Sequence, residues 1–465
     1  EHDATVNRWD KLRMGEPSAI YFWYRQSPRY VLPYNPGAVQ PDDPPLLTSG
    51  AVDLTLDPRG RLRGFQAVPP QLDEATDAAP APDYTLLFAL AGLDITKFTP
   101  TVSKWLPPVN SDNRAAWEGV FPYQTQLPLR IEAASYRGRP VYFQMIAPWD
   151  KPSRMGTDQQ TFIINPWMIL TSLMTLAGVL VARRNLRLGR GDRKGAFRLA
   201  LYFFALQMLS YFVASHHTPT GAEFMRYFTS ISFALFYATS VWLLYLALEP
   251  YVRRRWPHRI IAWSRLLSGH FRDPLVGREF LVGSLFAVGL GLLLFPIDLM
   301  RKWLGLLEGQ PLGVAPKALY GLRGLAEIFV DMHLSMLIWS LWLLLILLFL
   351  SRVLRREWLL FGAAWLLFTF IFGLQFQITN AEGWVVVGLL NVCWIILQMR
   401  FGLLASVVFF TNFVLLVSFP ITSDFSAWYA GGTIFAVGVV VAICGYGFYT
   451  SLGGQKVFAG KLLEE

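Results

Sequence analysis

Hydrophobic and polar positions divide this chain into two regimes. From Thr161 onward, apolar residues run almost unbroken for lengths near the roughly 20 that a helix needs to cross hydrocarbon. The runs fall at about 161–182, 196–215, 227–249, 280–300, 327–351, 358–376, 384–399, 403–420 and 432–450. They predict an α-helical polytopic membrane bundle of about nine spans over 161–455, with a short tail at 456–465. The pair flanking Arg400 is divided by the shortest break. No run alternates with the period of two that a membrane barrel strand requires.

Residues 1–160 read differently, being rich in Pro, turn residues and short alternating runs. A helix over Val6 to Met14 precedes a strand over Ala19 to Arg25 and a hairpin. That hairpin runs from Ala51 to Leu56, turns at Asp57-Pro-Arg-Gly60, and returns over Arg61 to Val68. A second set repeats the scheme. Its helix spans Tyr84 to Ala91, with Asp83 as N-cap and Gly92 as C-cap. Its strand spans Ala115 to Phe121, and its hairpin spans Leu129 to Ile146 about a turn at Tyr136-Arg-Gly-Arg139. The expectation is an α+β domain of two tandem helix-plus-β-hairpin modules, about 1–75 and 76–152, which resemble PepSY-type repeats. Trp117, Tyr142 and Trp149 are aromatics suited to its core or to a pocket.

Composition sharpens the membrane assignment, since apolar types make up 54% of the chain and charged types only 16%. The net charge of +9 points to no nucleic acid, because the arginines cluster in short loops between apolar runs. Arg183 to Lys194, Arg253 to Arg278, Arg352 to Arg356, Arg400, and Lys456 with Lys461 all fall in alternate loops, which the positive-inside rule assigns to the cytoplasm. One loop dissents, with Arg301, Lys302, Lys317 and Arg323 on the opposite side. Residues 1–160 are then extracytoplasmic and the C-terminus cytoplasmic. Cys393 and Cys444 lie within apolar runs and suit small core positions rather than a disulfide framework. The chain opens without Met or an apolar leader, as expected of a processed or downstream segment.

The most basic stretch, Glu249 to Glu279, reads either as a basic amphipathic helix from Pro257 to Gly269 lying on the anionic leaflet or as an ordinary topogenic loop that docks on the spans. In it Ile260, Trp263 and Leu267 share one face, with Arg259, Arg265 and Ser268 turned mostly away. Arg253, Arg254, Arg255, Trp256, Arg265, Arg272, Asp273 and Arg278 form its candidate coupling surface to a cytoplasmic partner. Ionisable residues near spans, Asp298, Asp331 and His333, are candidates for a ligand or polar membrane site, with Asp331 and His333 near the outer start of a span. Nothing in the sequence reads as a catalytic, cofactor-binding or metal-ligating motif. The His216-His217 pair reads as a solvated turn.

Several segments carry a resemblance: Phe22-Trp-Tyr-Arg-Gln-Ser-Pro28, Val68-Pro-Pro-Gln-Leu72, Arg114-Ala-Ala-Trp-Glu-Gly119, Tyr136-Arg-Gly-Arg-Pro140, Asn185-Leu-Arg-Leu-Gly-Arg-Gly-Asp192, Leu248-Glu-Pro-Tyr-Val-Arg-Arg-Arg-Trp-Pro257 and Arg272-Asp-Pro-Leu-Val-Gly-Arg278. They resemble the C-terminal half of large bacterial serine/threonine protein kinases of the acidobacterial kind. The resemblance implies a sensory and membrane-anchoring region for a kinase domain lying upstream in the cytoplasm, an unknown extracytoplasmic ligand, and scope for a homo-oligomer. No kinase motif occurs in this chain, so no catalytic residue carries over. The alternatives are a transporter or channel with an outer accessory domain, or a structural subunit of a membrane complex.

Overall fold

A computed structural model describes residues 18, 20–34, 39–74, 77, 79–152, 154–155, 166–303, 315–376, 378 and 381–455. The chain divides into two compact units, one of 1–161 with 216–223 and 301–308, which holds the β-sheet, and a helical one of 162–215, 224–300 and 309–465. The helix expected over Val6 to Met14 and the tail at 456–465 lie outside the described residues.

The sheet unit holds seven antiparallel strands: β1 (Phe22–Gln26), β2 (Val52–Leu56), β3 (Leu62–Ala67), β4 (Thr99–Thr101), β5 (Asn113–Phe121), β6 (Gln124–Tyr136) and β7 (Arg139–Ile146). Their order is β1-β2-β3-β7-β6-β5-β4. The two hairpins form where the alternation places them, and they meet through their last strands, Phe65 opposite Phe143 and Gln66 opposite Tyr142. The result is one continuous sheet. At the first turn the buried Asp57 carboxylate accepts the amides of Arg59 and Arg61, both at 2.9 Å, and pairs with Arg61 Nε at 2.7 Å. The second turn places Arg137 and Gly138 at φ 52° and 76°, the paired left-handed residues that a two-residue hairpin needs.

One short helix, α1 (Thr85–Leu90), closes one face of the sheet. Asp83 accepts the Thr85 amide at 2.8 Å, and Gly92 ends the turn at φ 70°. Because partners across a strand pair share a face, Phe65, Phe143, Ala133, Ile131, Met145 and Trp117 line a single side. Phe88 of α1 lands among them, edge-on to Phe98, Trp117 and Phe143 at 5.6, 5.1 and 5.7 Å between centroids. Leu62 and Phe121 join the same core, so both hairpins bury into one cluster.

The helical unit contains α2 (Pro166–Arg187), α3 (Arg193–Ala214), α4 (Gly221–Arg255), α5 (Ile261–Leu267), α6 (Pro274–Trp303), α7 (Gly321–Val353), α8 (Glu357–Gln375), α9 (Ala381–Arg400), α10 (Leu403–Ser418) and α11 (Ala430–Ser451). Among the described residues, seven of these helices are long and apolar enough to cross a membrane, and α10 is a shorter apolar helix. The chain is a multi-pass membrane protein whose setting is a lipid bilayer. Helix α7 packs against α3, α8, α10 and α11, burying its run from Leu343 to Leu348. Trp394 of α9 is fully buried between Phe368 of α8 and Phe410 of α10, edge-on to each at 4.9 and 4.7 Å.

Phe88 is 1% exposed and touches three aromatic rings at once, so its loss leaves a cavity that the sheet cannot close. Phe88→Ala is expected to destabilise the sheet unit by about 3–5 kcal/mol. Pulse proteolysis of the purified chain in urea, with bands assigned to residues 20–150, measures it. A change under roughly 1 kcal/mol would contradict this assignment of the core.

Candidate functional site

The arginine-rich helix ends come together at one end of the helical unit, and a proline organises them. Pro250 lies inside α4, five residues before its last residue. It lacks the N–H that would bond the carbonyl four residues back, that of Leu246. Asn185, 1% exposed at the C-terminal turn of α2, fills the gap, with Nδ2 donating to Leu246 O at 2.9 Å and Ala247 O at 3.2 Å. The chain then turns through Gly189 and Gly191, and Asp192 accepts the Gly195 amide at 2.8 Å to start α3. The Asp192 amide donates to Glu249 at 3.1 Å, and Glu249, 2% exposed, also pairs with Arg253 Nε at 2.6 Å. The segments 185–192 and 248–257 therefore form one interlocked cluster.

The stretch after α4 departs from the expected surface helix. A 3₁₀ turn at Pro257–Arg259 leads into α5, and Ile260, Ala262 and Trp263 are buried against the helical unit. Arg259 turns inward rather than away. It is 3% exposed, its Nε donates to Met399 O at 2.9 Å, and its guanidinium stacks on the Trp256 ring at 4.0 Å. Burial pulls its pKa down to about 10, partly offset by the nearby Glu357. The C-terminal end of α9 supplies unpaired carbonyls, and these outweigh the pull of a lipid surface on this one arginine. At Gly402, φ 120°, a Cβ would stand 2.3 Å from Arg259 O, so only glycine permits the fit.

The other candidate coupling residues divide by partner. Arg255 donates to Ser351 O at 3.0 Å, and Arg265 pairs with both carboxylate oxygens of Asp273 at 2.9 and 2.7 Å. Asp273 also accepts the Leu275 amide at 2.9 Å, starting α6. Arg254, Arg272 and Arg278 are exposed. Gly277 lets α6 press on α11, where a Cβ would lie 2.3 Å from the Ser451 amide nitrogen. Glu279, 3% exposed, accepts the Ala405 amide.

Away from that end, His333 lies twelve residues into α7, roughly 18 Å along the helix from Gly321. The apolar run begins near Glu327, so His333 lies about 9 Å into it. The early turns are tolerated because Lys317 pairs with Glu327, which also accounts for one of the dissenting cations. Tyr202 of α3 and Thr411 of α10 flank His333, with Tyr202 Oη at 2.7 Å from Nε2 and Thr411 Oγ1 at 3.0 Å from Nδ1. The Thr411 hydroxyl donates to Val407 O at 2.9 Å, so it accepts from Nδ1–H, and Nε2 accepts from Tyr202. The arrangement satisfies a neutral imidazole. Asp331 is half-buried beside Glu327 and Lys317 and, two residues away, does not share the His333 face. The Asp298 side chain lies outside the described residues. His217 pairs with Glu223 at 2.6 Å, and among the described residues no cluster of His, Cys, Asp or Glu has the grouping to hold a metal. Periodicity did not signal Asn185, Glu249 or Glu279; a polar residue on a helix turn beside an in-helix proline was the one available cue.

Comparison with family models, with curated proteins and with solved structures finds no match for this chain.

Asn185→Leu strands the Leu246 carbonyl in an apolar setting and is expected to cost about 1–3 kcal/mol. Pro250→Ala restores a backbone donor to that carbonyl, so the double variant should recover most of the loss. Thermal unfolding in detergent of the four proteins of the cycle measures the coupling. Strict additivity would refute the pairing.

Proposed function

We propose that this chain is the sensory and membrane-anchoring region of a receptor-type bacterial serine/threonine kinase. It crosses the inner membrane about nine times, by the seven long apolar helices together with α2 and α10. The sheet unit lies outside the cytoplasm as two fused PepSY-like modules, and the basic end faces a cytoplasmic kinase domain. One observation supports the reading above the others. Two segments of the kinase resemblance, 185–192 and 248–257, interlock at one arginine-rich end, and Asp273 of a third, 272–278, pairs with Arg265 of the short helix that follows them. A sensor needs such an element, rigid within and presenting exposed cations, here Arg254, Arg272 and Arg278, to a partner.

Two measurements test this. The tagged chain, purified intact from its native membrane, should bring serine/threonine phosphotransfer activity with it, in the same polypeptide or a stoichiometric partner. Arg272→Glu with Arg278→Glu should lower that activity several-fold without moving the melting temperature. An intact, pure preparation with no kinase polypeptide sinks the proposal. Orientation is tested separately: an impermeant thiol reagent should label Arg114→Cys and spare Arg272→Cys in spheroplasts, and the reverse pattern would invert the topology.

A transporter is the second reading, and one observation favours it. Among the described residues, Gln398 of α9 is fully buried with no hydrogen-bond partner for either amide atom, and Asn391 and Trp394 on the same helix each hold a polar atom without one. In a sensor, Gln398→Leu should stabilise the bundle by about 1 kcal/mol or more by removing desolvated polar atoms. A destabilised variant would favour the transporter, since it would mean that the stripe serves a bound solute.

A further inference from the structure

The face of the sheet opposite Phe88 carries a groove of about 770 Å³. Its floor comes from the central strands: Gln66 of β3, with Tyr142 and Gln144 of β7. These share a face by register, because Gln66 stands opposite Tyr142 and Gly64 opposite Gln144. One wall is the segment after β4, carrying Lys104 and Trp105. The other is the segment after β7, carrying Lys151 and Arg154, which leads toward the first helix of the helical unit.

The first wall is held in place before any ligand arrives. Glu132 of β6, 1% exposed, accepts Ser103 Oγ at 2.7 Å, the Lys104 amide at 3.0 Å and the Trp105 amide at 3.3 Å. Arg130 Nε balances its charge at 2.7 Å. The carboxylate is thus spent on holding the wall. Asp150, the acid in the lining, accepts the Ala147 amide at 2.8 Å and is engaged in its own turn. The cations Lys104, Lys151 and Arg154 remain in excess. Arg154 also donates to Leu106 O, drawing the two walls together. Tyr142 keeps its proton at any physiological pH, because burial and the nearby Glu132 push its pKa up to about 12.

We infer that this groove binds an anionic oligosaccharide. The chemistry matches group by group. An indole beside the floor offers a flat apolar face to the C–H side of a sugar ring. Two glutamine amides and a phenol on the floor each give both a donor and an acceptor, which suits vicinal hydroxyls; an apolar ligand would leave them unpaired. The cations on the two rims suit carboxylates spaced along a chain. The inference rests on the sensor reading only in supplying the outer ligand of that reading. Asp150, Lys151, Pro152 and Arg154 together form the second wall of the groove.

The test uses the full chain in nanodiscs and three probes: oligogalacturonate, a neutral cello-oligosaccharide and an acidic glutamate peptide, followed by calorimetry. Oligogalacturonate should bind, more weakly at high salt. Lys104→Glu with Lys151→Glu, both at exposed positions, should weaken that binding by about tenfold while leaving the melting temperature unchanged. Trp105→Ala should abolish it. Absence of oligogalacturonate binding, indifference to the double charge reversal, or equal or tighter binding of the glutamate peptide overturns the inference. Binding is read without any kinase, so its failure is separate from that of the sensor proposal. A chain that binds the sugar acid yet carries no linked phosphotransfer keeps the groove and loses the kinase.

Discussion

Pro250 leaves the carbonyl of Leu246 without its helical donor, in surroundings too apolar for water to supply one. An unpaired backbone group in hydrocarbon costs several kcal/mol, so the helix either breaks there or finds a donor elsewhere. It finds Asn185, on a different helix, and α4 runs on to Arg255. The consequences spread outward. Holding Asn185 fixes the end of α2, the glycine turn beyond it packs beside Pro250, and Asp192 is left in position both to cap α3 and to donate its amide to Glu249. Glu249 then has Arg253 as its counter-ion. A buried carboxylate, which alone would be costly, thus has a backbone donor at one oxygen and a counter-ion at the other.

The same logic organises the sheet unit around Glu132. Its carboxylate lies on the side of the sheet away from Phe88, and an unsatisfied charge there would favour unfolding or protonation. Four donors answer it, three from the segment after β4 and one from Arg130. That segment has little apolar reason to lie on the sheet, since Lys104 and Leu106 are exposed. The hydrogen bonds hold it there, and a groove opens beside it. In both units a polar group placed among apolar neighbours determines the path of an irregular segment, and the candidate sites are built from those segments.

The sensor proposal draws on these two constructions without depending on contact between the units. A rigid cationic end with Arg254, Arg272 and Arg278 outward suits a docking partner. The Tyr202–His333–Thr411 chain is satisfied as it stands and needs no ligand to explain it. Gln398 is the contrasting case, a buried polar side chain in the same bundle with no hydrogen-bond partner among the described residues.

Periodicity and local turn chemistry carried the part of this fold that the sequence determined by itself. Alternation about Asp57-Pro-Arg-Gly60 and Tyr136-Arg-Gly-Arg139 specifies the two hairpins, because side-chain period and left-handed turn residues are local properties. Long apolar runs likewise specify the helices, since burial of backbone polar groups in hydrocarbon leaves the helix as the available form. Tertiary structure decided the rest. That Arg259 points inward depends on a carbonyl of α9 that is 140 residues away. That both ring nitrogens of His333 have partners depends on Tyr202 of α3 and Thr411 of α10. That the two hairpins share one sheet depends on which edges are left unpaired, and that Asn185 matters at all depends on a proline in another helix. Each turns on a donor, acceptor or counter-charge supplied by a distant part of the chain, and no local pattern encodes where that partner will come to lie.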